Sequence, residues 1–344
     1  MKKEKIQFYD PHPLLSYDAL WNFILDVRGR GKTFSFAKRI PIDKFLEKGE
    51  QFIYLRRFKT ELMDLPTYFT DIEHLYPDHK FEVKGRTFYC DGKVMGFAVN
   101  LSTANNKKSV AYPHVTRIIF DEFILEKGFV QYLPNEVNLF NNFYETVART
   151  RDNVKVYFLG NAISLSNPYF TAFKIIPKPD RRFTSVKSFV NDHGVKEHLV
   201  LVEIGQDDDN FRDLKKKSRF GMIIEGSQFE EVAVENTFLD AHDSFIMKKE
   251  PDSIFRFSIT YMGETFGIWY SASTGFMYAS KHYSKEGRNF ALTTDDYRPN
   301  MILIDSYRNA NHMKMLKKAF SQGFLMFENT AIRSSMYEIL DLIR

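Results

Sequence analysis

The sequence predicts an α/β protein with two domains, the first of which is a mostly parallel sheet covered by helices. The chain has 344 residues, more than one domain usually contains. Short apolar segments alternate with helical ones up to about residue 200, and from Ser253 onward apolar side chains instead recur at every second position. We therefore expect a first domain over residues 1–200, a linker over 201–235 and a second domain over 236–344.

The first domain is expected to begin with a strand that ends at a glycine-rich loop. The helix that follows from Thr33 should break at Pro41 and close at Gly49. Turn signals predict antiparallel hairpins over residues 80–101. The other predicted elements are a helix over about 135–149 and strands over 20–25, 51–55, 115–120 and 155–159.

A charged run over residues 206–219 separates this pattern from the second domain, and such runs are typical of a solvated face or a linker. Asn329 is expected to cap the last helix of the chain. The second domain should contain strands over 254–261, 265–270, 276–279, 301–304 and 324–327, with helices near 309–322 and 330–344.

Composition excludes several classes of protein. Cys90 is the single cysteine, so there is no disulfide framework, and a small apolar strand residue is the better interpretation of it than a nucleophile. The nine histidines are scattered and predict no zinc site. No segment approaches the ~18 apolar residues that span a bilayer, and no secretory signal is present. We expect a soluble cytosolic protein without a membrane partner.

The strongest local signal is the segment Asp26-Val27-Arg28-Gly29-Arg30-Gly31-Lys32-Thr33, which lies between a predicted strand and a predicted helix. This is the context of a phosphate-binding loop, in which small residues let backbone N–H groups surround phosphate oxygens. Lys32 would reach the outer phosphates, and Thr33 would offer its hydroxyl to Mg²⁺. The usual motif begins with glycine where this chain has Asp26, and Arg28 and Arg30 are placed to offset that carboxylate.

A second signal follows the apolar strand that ends in Phe120. Asp121 is placed to hold a Mg²⁺ ion, and Glu122 is placed to polarise a water as a general base. Either acid could alone be a strand-end cap. In this order after a phosphate-binding loop, however, they predict an ATP-hydrolysing site with Mg²⁺.

Six further polar residues carry weaker signals, each with a plain structural alternative. Asn161 ends another strand and would face the γ-phosphate or its water, or else begin a turn. Arg149 and Arg151 would reach a neighbouring subunit's site, or else interact with the end of their helix. Arg56, Arg57 and Lys59 follow the second strand and would contact nucleotide, DNA or a neighbouring subunit, or else be a solvated strand exit.

Seven blocks of the sequence resemble the phi29-type DNA-packaging ATPases, and together they extend over essentially the whole chain. The blocks are Leu15–Asp18, Arg28–Thr33, Glu50–Arg57, Phe120–Phe123, Pro134–Val137, Ser218–Gly221 and Leu292–Asp296.

The resemblance implies a first domain of the P-loop NTPase class with an additional strand and a catalytic glutamate. It implies a homopentameric motor that hydrolyses ATP to drive double-stranded viral DNA into a preformed capsid. Such a motor works in the host cytoplasm, transiently on the prohead, where it docks at the portal vertex through a structural RNA. By the same resemblance, Arg149 is the finger acting on the neighbouring subunit, Lys59 a second basic residue between subunits, and Asn161 part of the coupling motif.

The resemblance also implies a second domain of the ribonuclease-H-like fold that has lost its nuclease carboxylates. Two-metal nucleases need several converging acids, normally beginning with one inside the first strand. That strand reads Phe255–Tyr261 here and holds no acid, so nuclease activity is not expected. The nearby acids that leave this open are Glu264, Asp295, Asp296 and Asp305.

Two alternatives remain at this point. One is a helicase-like or other nucleic-acid remodelling ATPase with the same catalytic core. The other is a structural protein of the portal that binds nucleotide without turnover, with Asp26 as a sign of decay.

Overall fold

The structure is a computed structural model. It describes residues 9–107, 110–125, 132–161, 167–177, 181–205, 209–225, 245–304 and 311–343. The chain forms two compact units. The first combines Met1–Ile163 with Pro177–Leu239, and the second combines Ser164–Ile176 with Asp240–Arg344. Among the described residues no helix is both long and apolar enough to cross a membrane.

The first unit is built on a sheet of nine strands in the order β3-β4-β5-β2-β6-β7-β1-β9-β8. The six strands from β5 to β9 in that order are parallel. At the two edges, β4 pairs antiparallel with both β3 and β5, and β8 pairs antiparallel with β9. The strands are β1 (Trp21–Asp26), β2 (Gln51–Arg56), β3 (Phe81–Lys84), β4 (Thr87–Cys90), β5 (Lys93–Asn100), β6 (Val115–Asp121), β7 (Lys155–Asn161), β8 (Phe183–Val190) and β9 (Lys196–Ile204).

Strand β7 lies between β1, which leads into the glycine-rich loop, and β6, which leads into the acidic pair Asp121-Glu122. An additional strand in this position is what the predicted P-loop class requires, and the fold class is confirmed. The register places Asp26 beside Asn161, and Asp121 beside Leu159. Because the carboxyl ends of parallel strands meet at one edge, all the polar segments that follow them meet there too.

Helices cover the sheet of the first unit. They are α1 (His12–Leu15), α2 (Ile40–Lys48), α3 (Glu136–Ala148), α5 (Asp209–Lys216) and α6 (Arg219–Ile224), with short 3₁₀ turns after β2 and β5. Between the sheet and its helices the apolar side chains are fully buried, and aromatic rings stack within them: Phe23 and Phe158 lie 4.2 Å apart at an angle of 7°.

The predicted break at Pro41 is wrong, because the chain stays helical through it. The preceding segment Phe34–Arg39 is a π-helix, in which the N–H of Ile40 donates to the carbonyl of Ser35, five residues back. The carbonyl of Ala37, four residues before Pro41, accepts from the hydroxyl of Tyr68 instead, so the missing N–H of the proline leaves this carbonyl with a partner. The helix ends as predicted at Gly49, which has φ of 70°.

Strand β9 continues to Ile204, so the boundary expected at residue 200 lies inside a strand that pairs with β1. The first unit therefore extends into the segment that the sequence predicts as a linker. Residues 206–208 and 226–235 of that segment lie outside the described residues.

The second unit contains a six-stranded sheet in the order β14-β13-β10-β11-β12-β15. Strands β10 to β12 form an antiparallel meander, and β13 returns parallel to β10. Strands β14 and β15 complete the two edges, each pairing in parallel with its neighbour, β13 and β12 respectively. The elements are α4 (Pro168–Phe173), β10 (Ile254–Tyr261), β11 (Glu264–Tyr270), β12 (Met277–Ser280), β13 (Arg288–Ala291), β14 (Ile302–Leu303), α7 (Asn311–Ser321), β15 (Leu325–Phe327) and α8 (Thr330–Leu342).

Candidate active site

A cleft lies at the edge where β1, β6 and β7 end, and it encloses about 270 Å³. Gly29 and Gly31 have φ of 89° and 98°, a left-handed conformation that glycine adopts without strain. This conformation lets the loop after β1 turn its backbone toward the cleft. The lining residues are Arg28, Gly29, Gly31, Lys32, Thr33, Asp121, Glu122, Leu159, Gly160 and Asn161, eight of which the sequence predicts.

Lys32 is buried beneath the loop. Its Nζ donates to the carbonyl oxygens of Asp26 at 2.7 Å and Val27 at 2.8 Å. Burial lowers the pKa of Lys32 to about 8, against the opposing effect of Asp26 and Asp121. The ammonium is thus held at the floor of the cleft between two acids.

This chain has Asp26 where the usual motif has glycine, and the side chain of Asp26 is buried within the loop. Its Oδ1 accepts from the N–H of Val27 at 2.8 Å and pairs with Arg30 at 3.2 Å. A Cβ on Gly205, just after β9, would lie 2.0 Å from the same oxygen. The carboxylate therefore fits only because residue 205 is a glycine.

Asp121 is the centre of an oxygen-rich cluster. Thr33 donates to its Oδ1 at 3.2 Å, and the hydroxyl of Tyr54 donates to its Oδ2 at 3.1 Å. Burial raises the pKa of Asp121, and Arg56 opposes the shift. A carboxylate beside a hydroxyl is the donor set that Mg²⁺ prefers, so Thr33 and Asp121 fit the predicted ion.

Glu122 is exposed to the cleft and has φ of 57°, which is unusual for a non-glycine residue. The Nη2 atom of Arg56 donates to its Oε2 at 2.6 Å. Arg56 also lies 3.6 Å from Asp121 and donates to Glu61 at 2.9 Å. Arg56 thus pairs with three acids of its own chain, and its second-tier contact with nucleotide, DNA or a neighbouring subunit stays a prediction.

Among the described residues, Arg57 is one of the largest side chains that are fully buried, and its structural role was not predicted from the sequence. Its guanidinium pairs with the buried Glu136 at 2.8 Å and donates to the carbonyl oxygens of Glu122 at 3.0 Å and Phe123 at 2.7 Å. It thus fixes the backbone that carries Glu122. The one signal of this role in the sequence is an arginine that directly follows an apolar strand.

The three remaining cations differ in their surroundings. Arg149 is exposed at the end of α3, with φ of 52°, and within the described part of the chain its side chain meets no acid. Lys59 is exposed at the first 3₁₀ turn after β2. Neither lines the cleft. Arg151 donates to the carbonyl oxygens of Pro113, Val115, Tyr112 and Val147.

Those four bonds join α3 to the start of β6, which agrees with the structural alternative for Arg151. A contact of Arg151 with DNA or a neighbouring subunit stays a prediction. The end of β7 is closely packed against the segment that follows β6. A Cβ on Gly160 would lie 2.9 Å from the ring of Phe123, so the glycine lets Asn161 reach the cleft beside Asp26.

The charged run predicted as a solvated face or linker is partly engaged with the loop. Lys215 of α5 donates to the carbonyl of Arg28 at 2.6 Å, and Phe211 is buried. By contrast, the side chain of Lys217 is 77% exposed and pairs with Asp213, one turn earlier on the same segment.

The described residues contain one group of three side chains that could converge on a metal, namely His79, Cys90 and Asp91. Burial raises the pKa of the Cys90 thiol to about 11, and Asp91 already binds His79 and the N–H of Lys80. Because a metal ligand must be a thiolate, this group is a poor site.

Comparison with known proteins adds a family to this geometry. The family model described as "Podovirus DNA encapsidation protein (Gp16)" matches residues 3–344. The chain is 42% identical over 342 residues to the DNA packaging protein of Bacillus phage phi29, covering 99% of both chains.

The solved structures that are similar to it include two from phi29. The phi29 viral genome packaging motor assembly contains a chain that is 41% identical, with a TM-score of 0.72, covering 98% of this chain and 100% of that one. The N-terminal domain of the phi29 DNA packaging ATPase is 44% identical, with a TM-score of 0.53, covering 59% of this chain and 98% of that one.

Proposed function

The chain belongs to the family of podovirus DNA encapsidation proteins, and we propose that it is the ATP-hydrolysing motor that drives double-stranded viral DNA into a preformed capsid. DNA packaging is the function that its relatives carry in their names over the full length of the chain. The single observation that supports hydrolysis is the cleft, which brings a phosphate-binding loop to Asp121 and Glu122.

Nucleotide binding would use the loop and its lysine. The N–H groups between Arg28 and Thr33 would surround the phosphates, and Lys32 would exchange the carbonyls of Asp26 and Val27 for phosphate oxygens. Thr33 and Asp121 would hold Mg²⁺, which neutralises phosphate charge when bound. Asn161, at the tip of β7, would face the γ-phosphate side of the cleft.

Hydrolysis would depend on Glu122 as the general base. Its carboxylate is exposed to the cleft, and its backbone is fixed by the buried Arg57. Arg56 binds that carboxylate and therefore controls where it points. Removal of a positioned base typically costs about 10² to 10⁴ in rate.

We further propose that the motor is a homopentameric ring in which Arg149 completes the neighbour's site, with Lys59 as a second basic contact. The exposed end of α3 supports this, since both cations lie outside the cleft of their own chain. The likeness to a chain of the phi29 packaging motor assembly supports the assembly itself. Docking to the portal vertex through structural RNA, in the host cytoplasm, belongs to the same proposal.

The second unit is proposed to lack nuclease activity. Asp296 accepts from the N–H groups of Met262 at 3.2 Å and Gly263 at 2.8 Å, so it stabilises a turn. Glu264 is paired with Lys281 at 2.7 Å. These acids therefore have structural partners rather than converging on a metal pair; Asp305 lies outside the described residues.

The experiment that tests the proposal is phosphate release by the purified protein with and without double-stranded DNA. We expect DNA to stimulate hydrolysis, and Glu122→Gln to reduce turnover about 100-fold or more while nucleotide still binds. Glu47→Gln, an exposed acid on α2, is the control and should hydrolyse ATP like the wild type.

Wild-type protein that binds ATP without turnover would instead favour a structural role at the portal. Strand separation without movement along duplex DNA would favour a helicase-like enzyme. Because a packaging motor must ignore sequence, its grip on DNA should weaken steeply with added salt.

A further inference from the structure

Helix α5 packs against the outer side of the phosphate-binding loop. The Nζ of Lys215 donates to the carbonyl oxygen of Arg28 at 2.6 Å. The ring of Phe211 on the same helix lies close to two cations, with the ammonium of Lys215 at 5.0 Å from its centre and the guanidinium of Arg30 at 5.8 Å. The helix therefore contacts the loop at two of its residues, through one hydrogen bond and one aromatic ring.

The hydrogen bond to Arg28 has a geometric consequence inside the loop. In a trans peptide the C=O and the following N–H point in opposite directions. When Lys215 holds the carbonyl of Arg28 on the outer side, the N–H of Gly29 is directed the other way, and Gly29 lines the cleft.

The carbonyl of Arg30, two residues further along the loop, is held in the same manner. The N–H of Tyr9 donates to the carbonyl of Arg30 at 2.9 Å, so the N–H of Gly31 is likewise turned away from that bond. Gly31 also lines the cleft. Two donors from outside the loop thus orient two of the N–H groups that would surround a phosphate.

The position of Lys215 is unfavourable for a charged side chain. It is partly buried, and burial lowers its pKa, with Arg28 adding to the effect and Asp26 opposing it. A lysine that served solubility alone would extend into water, as Lys217 does two residues later. The ammonium also adds positive charge next to Lys32 at the loop.

From these contacts we propose that Lys215 is a positioning residue for nucleotide binding: through the carbonyl of Arg28 it holds the loop in its phosphate-binding shape, and it couples α5 to the nucleotide. This rests on the proposed ATP site. Coupling of this kind is reciprocal, so a bound nucleotide must also stabilise α5 against opening.

Fluorescent ADP binding to the full chain tests the proposal without any need for turnover. Lys215→Met, which keeps the length but removes the donor, should weaken ADP binding about tenfold, the effect of losing one charge-assisted hydrogen bond. Lys215→Arg retains a donor and should recover most of the affinity. Lys217→Met is the matched control on the same segment and should bind like the wild type.

Hydrogen exchange separates this role from a purely structural one. ADP should slow the exchange of the α5 amides in the wild type and in Lys217→Met, and should leave them unchanged in Lys215→Met. If Lys215→Met binds ADP as the wild type does while Lys32→Met does not, the inference about Lys215 is overturned and the nucleotide site stands. If the wild type itself does not bind ADP, the proposed function fails and the inference with it.

Discussion

The Nη2 atom of Arg56, at the end of β2, lies 2.6 Å from Oε2 of Glu122, at the end of β6. These strands are neighbours in the sheet, so the arginine and the acid reach each other across one strand spacing. The same guanidinium lies 3.6 Å from Asp121. The acid proposed to activate water and the acid proposed to hold Mg²⁺ are therefore joined by one cation.

Replacing Arg56 by alanine should lower kcat about tenfold to 100-fold and leave ADP affinity nearly unchanged. The reason is that Glu122 loses the group that orients it, whereas the loop and Lys32 keep their own contacts. Single-turnover hydrolysis and equilibrium binding measure the two effects separately. Arg39→Ala, an exposed arginine at the start of α2, should change neither. A loss confined to nucleotide affinity would contradict this role of Arg56.

Gly205→Ala should destabilise the first unit by about 1–3 kcal/mol, because its methyl group would overlap the carboxylate of Asp26. The same change should cost less in a chain that already carries Asp26→Gly, since the obstructing oxygen is gone. Urea unfolding of the wild type, both single variants and the double variant gives the coupling between the two positions. Additive effects would show that the two residues do not compete for the space.

Nucleotide affinity should fall as the pH rises from 7.5 to 9.5. The pKa of Lys32 is lowered to about 8 by burial, and phosphate oxygens would raise it, so binding takes up a proton above pH 8. The loss should approach at most about tenfold per pH unit. Binding of fluorescent ADP across this pH range measures the loss of affinity. Lys217→Met is the control and should show the same pH dependence as the wild type. Affinity that is constant from pH 7.5 to 9.5 would rule out a titrating Lys32.

Mixing Arg149→Ala chains into wild-type protein should reduce DNA-stimulated hydrolysis more steeply than the fraction of altered chains. Each altered chain would leave its neighbour's site incomplete and so affect more than its own turnover. Phosphate release at graded mixing ratios gives the curve, and Arg39→Ala chains should produce no loss at any ratio. A strictly proportional decline would argue that Arg149 acts only within its own chain.

The elements of the candidate site were predictable because they are local. A phosphate-binding loop needs a strand, two glycines, a lysine and a helix in one continuous segment, and all are present between Trp21 and Lys48. The acids Asp121 and Glu122 follow an apolar strand directly, so their place at the sheet edge follows from chain order. The π-helical turn before Pro41 was not predictable, because the proline rule assumes regular α-helical bonding.

What the sequence by itself determined is the class of fold and the residues that meet at its edge, since strand polarity and loop chemistry are written in neighbouring residues. Only the tertiary structure decided which cations act where. Arg56 binds Glu122, Arg57 is buried against Glu136, and Lys215 holds the carbonyl of Arg28. These partners lie 66, 79 and 187 positions apart. No local pattern distinguishes such cations from solvated ones, because burial and pairing are set by which strands and helices the fold brings together.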